Sequence, residues 1–304
     1  MNHDKAFEGF WRLADPKISL ASFAGMAMAA FFAAADNGLA PAWLILTVLG
    51  IFCIEVGKNA SGEVVDFDSG TDLGVAVEDR SPFSGGKRVL VDGLLSRGQC
   101  WLIAGTFFAL GIAIGLLIVV LREPRVLFLG LAGVALAWCY HGRTVRLAYR
   151  GLGELAVAIA YGPLVVCGTY LVQTADVSLP LIYASASLGL LVAAFLWVNE
   201  FPDYSADRAA GKRNLVVRLG RETSKSVYIA LLASAYLLLA WAALWIEGAR
   251  GMLWGLLGLV PAAFASVRVL GFDGNTSRII PAQAATLIGF LAMALGSGAG
   301  YFWF

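Results

Sequence analysis

Charged residues are scarce in this sequence. Asp, Glu, Lys and Arg make up 14% of its 304 residues, whereas hydrophobic residues make up 59%. A soluble globular domain carries about 25% charged residues, so this composition excludes a soluble globule and indicates a polytopic membrane protein. The formal net charge is only +1. It gives no reason to expect a nucleic-acid partner.

Cysteine is also rare, and the cysteines lack the paired spacing of a metal site. Each lies within or at the end of an apolar stretch, so we interpret them as small core residues. No disulfide framework and no cysteine metal site is expected. The four residues are Cys53, Cys100, Cys139 and Cys167.

The N-terminal segment, residues 1–16, lacks the uninterrupted apolar core and the small-residue cleavage site of a signal peptide. Phe7, Phe10, Trp11 and Ala14 instead follow helical spacing. This pattern predicts a short helix that lies in the membrane interface. The segment also lacks the features of a transit peptide, which favours a bacterial or archaeal plasma membrane.

Apolar runs long enough to cross a bilayer, on the order of 20 residues each, fill most of the remaining chain. They predict an all-α protein with nine transmembrane helices. The predicted spans are Ile18–Ala35, Ala42–Lys58, Gln99–Leu121, Val126–Tyr140, Leu152–Val172, Leu179–Val198, Ser226–Ile246, Met252–Leu270 and Ile280–Phe304.

The distribution of Lys and Arg predicts the orientation of these spans. If the N-terminus is cytoplasmic, 19 of the 22 cations fall on the cytoplasmic side, and only Arg122, Arg125 and Arg250 lie outside. This asymmetry follows the positive-inside rule. An odd number of spans then places the C-terminus on the opposite side.

The most densely charged stretch is NEFPDYSADRAAGKRNLVVRLG, residues 199–220, which follows the sixth predicted span. Asn199, Asp203 and Asp207 recur every four residues, so they form one polar stripe on a helix. Cations follow directly behind this stripe. They are Arg208, Lys212 and Arg213.

A second acidic cluster follows the second predicted span. Asn59, Glu63 and Asp66 share a helix face, and Asp72 comes after Gly70, where the chain can turn. The two clusters lie four spans apart, so both open on the cytoplasmic side. This spacing predicts two four-helix repeats with a ninth helix appended. Carboxylates of both clusters, with phosphate oxygens of a substrate, are the ligands that Mg²⁺ prefers.

Three segments together carry a family resemblance over nearly the whole chain. NASGEVVDFDSGTD and the stretch 199–220 resemble the two aspartate-rich motifs of the UbiA superfamily of intramembrane prenyltransferases. AYRGLGELAVAIAYGPLVVCGTYLVQT, from Ala148, is similar to the MenA branch, which prenylates 1,4-dihydroxy-2-naphthoate. The resemblance implies one integral-membrane domain, residues 1–304, whose helices surround a central cavity, with cytoplasmic Asp-motif loops at 59–98 and 199–225.

The activity implied by this resemblance is transfer of a prenyl group from a polyprenyl diphosphate, with a geranylgeranyl, farnesyl or longer chain, to an aromatic or lipid acceptor. The diphosphate is held through Mg²⁺ between the two motifs, and an allylic cation forms within the membrane. A water-shielded site with fixed cations favours departure of the diphosphate.

The resemblance also implies roles for individual residues. Mg²⁺ ligands are expected at Asp66, Asp72, Asp203 and Asp207, with Glu63 as a longer ligand, and Asn199 and Asn59 as polar support. Diphosphate contacts are expected from five cations in or beside the matched segments. These are Lys87, Arg88, Arg150, Lys212 and Arg213.

The sequence departs from the family pattern at two places. Gly62 and Glu63 stand where members usually have Asn and Asp, and we hypothesise that Asn59, one turn earlier, replaces the missing Asn. HGRT, residues 141–144, replaces a Pro-containing segment, and His141 is either a base or polar surface.

The segment that follows HGRT borders the expected active site. Tyr149 and Glu154 are assigned to catalysis by the resemblance, and a carboxylate just inside a span is usually functional or paired. For Glu154 the structural alternative is an ion pair with Arg150, its i−4 neighbour.

Alternatives remain open. Within the superfamily, the acceptor could be a non-quinone molecule, or the enzyme could be a terpene cyclase. A transporter would also have many spans and a repeat, but it tends to carry ionisable groups near the bilayer midplane. Here nearly all charges lie at the cytoplasmic boundary, which favours an interfacial active site in the plasma membrane.

Overall fold

A computed structural model describes residues 3–142 and 144–304. Met1, Asn2 and Arg143 lie outside this range, so the structure says nothing about the first two residues of the predicted interfacial helix. The described residues are almost entirely helical. The helices are α1 (His3–Ala14), α2 (Pro16–Ala35), α3 (Pro41–Ser69), α4 (Arg97–Leu121), α5 (Val126–His141), α6 (Gly153–Thr174), α7 (Leu179–Ala209), α8 (Leu215–Leu219), α9 (Arg221–Trp245), α10 (Arg250–Leu270) and α11 (Thr276–Trp303).

Eight of these helices are long and apolar enough to cross a membrane, namely α2, α3, α4, α6, α7, α9, α10 and α11. The ninth predicted span corresponds to α5, which is apolar but has only 16 residues. An all-helical integral-membrane architecture is therefore confirmed, whereas the count of nine is not.

Two helices are much longer than the sequence analysis predicted. α3 has 29 residues and α7 has 31, so each extends about 45 Å at 1.5 Å per residue, whereas a bilayer core is about 30 Å thick. The segments 59–98 and 199–225, predicted as loops, therefore begin as helix, through Ser69 and Ala209. α3 ends where Gly70 adopts a left-handed φ of 80°.

Local sequence explains an irregularity in α6. Pro163 has no backbone N–H, so it cannot continue regular α-helical bonding, and residues Ala160–Leu164 form a π-helical turn. At this turn Gly162 packs against α7 so closely that a Cβ atom would lie 2.5 Å from the carbonyl oxygen of Ser185. The π turn therefore lies at a close approach of α6 and α7.

α7 lies at the centre of the bundle. Most of its membrane-spanning window is buried, and it packs against α2, α6, α9 and α11. α11 also packs along α2, so the last long helix of the chain contacts the first. By contrast, α5 has no buried residue, and α4 exposes a series of large apolar side chains. These exposed apolar surfaces fit contact with lipid.

The close packing of α10 against α11 depends on glycine. The first part of α10, Arg250–Gly258, is a 3₁₀-helix rather than the α-helix predicted from Met252 onwards. A Cβ atom on Gly251 would lie 2.1 Å from the carbonyl oxygen of Gly300. Small residues let two helix backbones approach in this way inside a membrane.

The predicted N-terminal helix is present as α1. Phe7 and Trp11 are 70% and 56% exposed and stack with their ring centroids 6.5 Å apart. Phe10 packs against Phe107 of α4. One side of α1 therefore contacts the bundle, and the other presents an aromatic pair on the surface.

Candidate active site

The acidic clusters meet where α3 and α7 extend past the other helices. A cavity of about 180 Å³ opens between them and is closed by the loop that follows α3. Asp66, Asp72 and Asn199 line its wall. Asp203 and Asp207 continue the stripe of Asn199 along the next two turns of α7. The two motifs, far apart in sequence, therefore lie on facing helices.

Asp66 is the central carboxylate of the first motif. Its Oδ1 atom accepts a hydrogen bond of 2.7 Å from the hydroxyl of Tyr149, and its Oδ2 atom lies 3.5 Å from Nε2 of His141. The Tyr149 hydroxyl also lies 2.8 Å from the hydroxyl of Ser69. Tyr149 therefore links the loop after α5 to the end of α3 and holds Asp66 in place.

Asp72 lies in the loop after α3 and is 4% exposed. Burial, together with the negative charges of Asp66 and Glu63, raises the pKa of Asp72 to about 8. Such a shift reflects negative charges gathered in a poorly solvated place, where a cation would be stabilised. The loop contacts Asp72 closely, since a Cβ atom on Gly86 would lie 2.3 Å from its Oδ1 atom.

The second motif contains buried oxygens without a hydrogen-bond partner. They are one oxygen each of Asn199 and Asp203, whereas Oδ1 of Asp207 has a cation, Nζ of Lys212, 3.3 Å away. Buried polar atoms are normally paired, so a row of unpaired oxygens on one helix face needs an explanation. A bound cation would supply their missing partner.

Lys212 neutralises part of this charge. Its Nζ atom lies 3.3 Å from Oδ1 of Asp207, and Asn214 donates a 2.8 Å hydrogen bond to the other oxygen. Burial would lower the pKa of Lys212, but Asp207, Asp66 and Asp203 together raise it well above its usual value. Lys212 therefore stays a cation at the junction of both acidic clusters.

The loop over the cavity is anchored from several sides. Oε1 of Glu63 accepts a 2.8 Å hydrogen bond from the backbone N–H of Leu90, so Glu63, predicted as a metal ligand, clamps the loop through that oxygen. Arg88 donates to the backbone oxygen of Asp72 and to the carboxylate of Asp92. Its guanidinium thus braces the loop.

Lys87 lies in the cavity wall, as expected for a diphosphate contact. Its Nζ atom is 2.6 Å from Oδ2 of Asp15, and both side chains are largely buried. Although burial alone would raise it, the charge of Lys87 lowers the pKa of Asp15. Asp15 is also the residue between α1 and α2, with a φ of 44°. The ammonium group thus already has an anionic partner within the chain.

Three other predicted residues take structural positions. The Asn59 amide donates a 3.0 Å hydrogen bond to the carbonyl of Leu13, so it ties α3 to α1. Glu154 accepts a 2.6 Å hydrogen bond from the backbone N–H of Leu215, at the start of α8. Arg150 is exposed and donates to the carbonyl of Thr144, rather than pairing with Glu154.

Arg213 also differs from its predicted role. Its side chain is exposed, and its backbone N–H donates a 3.2 Å hydrogen bond to the carbonyl of Tyr149. Arg213 and Arg150 therefore lie on the surface beside the site and do not line the cavity.

A second, larger cavity adjoins the first. It measures about 320 Å³ and runs between α3, α4, α5 and α6, with walls that are almost entirely apolar. Four residues line both cavities and mark where they join: Lys58, Tyr140, Val157 and Tyr161. The polar cavity therefore leads into an apolar chamber.

Lys58 and Tyr140 were not predicted as site residues. The Nζ atom of Lys58 lies 4.9 Å from the ring centroid of Tyr140, so a cation and an aromatic face meet at the cavity junction. The sequence contained a signal, because Lys58, Gly62 and Asp66 recur every four residues and share one helix face. The pattern of Asn59, Glu63 and Asp66 shares Asp66 with this face and predicts a different set of site residues.

Glu200 was not predicted as a site residue either. It is buried on α7, next to the stripe of Asn199 and Asp203, and its Oε2 atom has no hydrogen-bond partner among the described residues. The carboxyl groups of Glu200 and Glu154 face each other. An acidic residue directly after Asn199 was a visible signal, but it falls outside the four-residue stripe.

The donor set fits Mg²⁺ with a substrate present. Hard carboxylate and amide oxygens of Asp66, Asp72 and Asn199 line the cavity, and Asp203 and Asp207 continue along the same helix as Asn199. Asn199 and Asp203 each carry an unpaired buried oxygen. Within the described part of the chain, no three acidic, histidine or cysteine side chains converge into a complete metal site. Mg²⁺ commonly takes only one or two carboxylates and completes its shell with water and substrate phosphates.

Comparison with known proteins gives a consistent result. The model of the UbiA prenyltransferase family matches residues 23–288. The chain is 31% identical to a 1,4-dihydroxy-2-naphthoate octaprenyltransferase of Mycobacterium tuberculosis, over 83% of each protein. It is 32% identical to a 2-carboxy-1,4-naphthoquinone phytyltransferase of Synechocystis, over 64% of this chain and 60% of that enzyme.

Solved structures share the fold. A UbiA homolog from Archaeoglobus fulgidus, bound to GPP and Mg²⁺, aligns over 95% of this chain and 99% of its own, with a TM-score of 0.67 and 19% sequence identity. The apo structure of a UbiA homolog from Aeropyrum pernix K1 aligns over 90% and 96%, with a TM-score of 0.68 and 19% identity.

Proposed function

Because the chain belongs to the UbiA prenyltransferase family, we propose that it transfers a polyprenyl group from an isoprenoid diphosphate to an aromatic quinone precursor within the membrane. The first candidate acceptor is 1,4-dihydroxy-2-naphthoate, since relatives that span most of the chain carry that acceptor in their names. The main observation behind the proposal is that an acidic cavity joins an apolar chamber.

A polyprenyl diphosphate has the two properties that these cavities match. Its diphosphate is a compact polyanion, and its tail is apolar and long. The acidic cavity of about 180 Å³ would take the diphosphate with a divalent cation, and the apolar chamber of about 320 Å³ would take the first part of the tail. Burial of each methylene contributes about 0.8 kcal/mol, so the chamber favours a long chain.

We assign the Mg²⁺ ligands to Asp66 and Asp72 on one side and Asp203 and Asp207 on the other, with Asn199 as polar support. When bound, Mg²⁺ would stabilise the negative charge of the leaving diphosphate. The unpaired buried oxygens of α7 support this assignment. Glu63 and Asn59 are better explained as anchors of the loop and of α1.

The chain's own residues have separate tasks in this scheme. Lys212 and Lys87 bind diphosphate oxygens and so add fixed positive charge as the C1–O bond breaks. Tyr149 holds Asp66 through its hydroxyl. The loop after α3, clamped by Glu63 at Leu90, covers the cavity and excludes water. Exclusion of water lets the acceptor carbon, rather than water, capture the allylic cation.

The membrane arrangement forms part of the proposal. We assign α5 as a ninth crossing, tilted little because its 16 residues extend only about 24 Å. The acidic cavity then opens to the cytoplasm, with the N-terminus on the same side and the C-terminus on the other. The aromatic pair Phe7 and Trp11 on α1 would lie in the cytoplasmic interface.

The proposal is tested with purified protein in nanodiscs, supplied with Mg²⁺, geranylgeranyl or farnesyl diphosphate, and a panel of acceptors that includes 1,4-dihydroxy-2-naphthoate and 4-hydroxybenzoate. We expect a prenylated naphthoate, lost on addition of EDTA and in Asp203→Ala. Asp273→Ala is the matched control, because Asp273 is exposed in the loop before α11, where its carboxylate contacts Arg278 and the backbone N–H of Asn275, away from the cavity.

Other outcomes are informative. Product from another acceptor would contradict the naphthoate assignment and keep the enzyme class. Diphosphate release without a prenylated acceptor would instead indicate a cyclase. If folded protein turned over no diphosphate at all, the prenyltransferase proposal would be wrong.

A further inference from the structure

The helix face that carries Asp66 contains a glycine one turn earlier, and a histidine from another helix fills the space beside it. A Cβ atom on Gly62 would lie 2.7 Å from both Nδ1 and Cε1 of His141. Non-bonded carbon atoms do not approach to that distance. The imidazole therefore occupies the volume that a side chain at residue 62 would take.

Two residues could supply the polar group that Gly62 lacks, namely Asn59 and His141. Asn59 was the candidate to replace a polar side chain at 62. It also lines the cavity, but its amide nitrogen donates to the carbonyl of Leu13 and its oxygen accepts from Lys58, so neither atom contacts Asp66. His141 stands over Gly62 and lines the same cavity as Asp66. The polar group next to Asp66 thus comes from the end of α5, not from α3 itself.

The imidazole is largely buried in this position, and its Nδ1 atom has no hydrogen-bond partner among the described residues. Its exposure is only 13%, and its ring lies edge-on to the ring of Tyr140 with the centroids 4.7 Å apart. Nε2 lies 3.5 Å from Oδ2 of Asp66, while Oδ1 of the same carboxylate accepts from Tyr149. His141 and Tyr149 therefore approach the two different oxygens of the Asp66 carboxylate.

We propose that His141 is a positioning residue, seated over Gly62, that orients the Asp66 carboxylate for a divalent cation. The inference rests on the proposed function, because it requires Asp66 to serve as a metal ligand. Groups that hydrogen-bond a ligating carboxylate fix its orientation, and their loss typically weakens metal binding about 10- to 100-fold. Gly62 has its place in this arrangement because any side chain there would displace the imidazole.

Four variants separate positioning from simple packing. His141→Gln keeps an N–H donor of similar reach, whereas His141→Leu keeps a similar volume without a donor. Gly62→Ala pushes the imidazole away, and Gly62→Ala/His141→Ala removes the clash and the donor together. Binding of Mn²⁺, a paramagnetic substitute for Mg²⁺, is measured by EPR titration in the presence of geranylgeranyl thiolodiphosphate, and thermal unfolding of each variant is measured in the same detergent.

We expect His141→Leu and Gly62→Ala each to weaken Mn²⁺ binding about tenfold or more, and His141→Gln to restore most of it. The double variant should bind no more weakly than His141→Leu, because both changes remove the same contact. Equal Mn²⁺ affinity in wild type, His141→Leu and His141→Gln would overturn the proposal, as would a double variant that binds Mn²⁺ more weakly than His141→Leu.

The outcome also separates this inference from the proposed function. If wild-type protein binds neither Mn²⁺ nor the thiolodiphosphate, the proposed function fails and this inference with it. If wild type binds both and His141→Leu binds them equally well, only the role of His141 is wrong. Should His141→Leu unfold, comparison of His141→Gln with Gly62→Ala decides the question.

Discussion

The apolar chamber beside the acidic cavity makes a prediction about chain length. Gly133, on α5, lines this chamber, and a Cβ atom placed on it would meet no other atom within 4 Å. The Cβ atom of Gly133→Phe would therefore fit without a clash, and we expect its ring to enter the chamber. If the chamber holds the isoprenoid tail, the ring takes the place of part of that tail.

The expected magnitude follows from the apolar surface that is lost. Burial of one methylene contributes about 0.8 kcal/mol, so exclusion of one isoprene unit costs at most about 4 kcal/mol. The tail can bend around the ring and recover part of this, so we expect kcat/KM for long chains to fall at least about tenfold, which equals about 1.4 kcal/mol. Dimethylallyl diphosphate, which does not reach the ring, should be affected much less.

The assay compares kcat/KM for dimethylallyl, farnesyl and geranylgeranyl diphosphates in wild type and Gly133→Phe. Gly105→Phe is the matched control. Gly105 is exposed on α4 outside both cavities, and a Cβ atom there also meets nothing within 4 Å. The placement of the tail would be wrong if Gly133→Phe unfolds at the same temperature as wild type and its kcat/KM ratio of long to short diphosphates is unchanged.

Three further predictions concern the charged residues. Asp203→Asn should abolish Mg²⁺-dependent turnover. It should also raise the thermal unfolding temperature of the metal-free protein, because it removes the charge from a carboxylate with an unpaired buried oxygen. An unchanged or lower unfolding temperature would contradict this. Asp15→Asn should tighten binding of a thiolodiphosphate about 5- to 30-fold in a calorimetric titration, since Lys87 no longer has to leave an ion pair worth about 1–2 kcal/mol. Lys87→Met should cancel that gain. Glu154→Ala should lower the free energy of unfolding by about 1–3 kcal/mol, because the buried N–H of Leu215 loses its acceptor, whereas Glu154→Gln should keep most of it in the same denaturation assay.

Much of the fold was predictable because lipid imposes simple rules. Long apolar runs must form helices whose backbone bonds are satisfied internally, and the sequence places these runs close to the observed helices. The ends were less predictable. Apolar content ends near Lys58, but α3 continues through Ser69, because the polar face of that extension packs against α1 and the loop. Such tertiary contacts leave no trace in a hydropathy pattern.

The candidate site shows the same limit at the level of single residues. A spacing of four places residues on one helix face, but it does not say what lies opposite. Asn59, Glu63 and Asp66 form a regular stripe, yet the first two bond to Leu13 and Leu90. All three line the cavity, but of the three only Asp66 contacts Tyr149 and His141. Only the packing of α1, α5 and the loop around α3 distinguishes these roles.

The length of α3 and α7 connects the fold to the chemistry. A carboxylate at mid-membrane would be strongly desolvated, while one in an open loop would be exposed to water that competes for an allylic cation. In the proposed membrane arrangement, helices longer than the bilayer core would place Asp66 and Asp203 just past the apolar layer, beside the loop after α3. Lys58 lies two turns earlier on α3 than Asp66 and lines both cavities. The same helix thus carries both the polar end of the site and its passage into the apolar chamber, as an amphiphilic substrate requires.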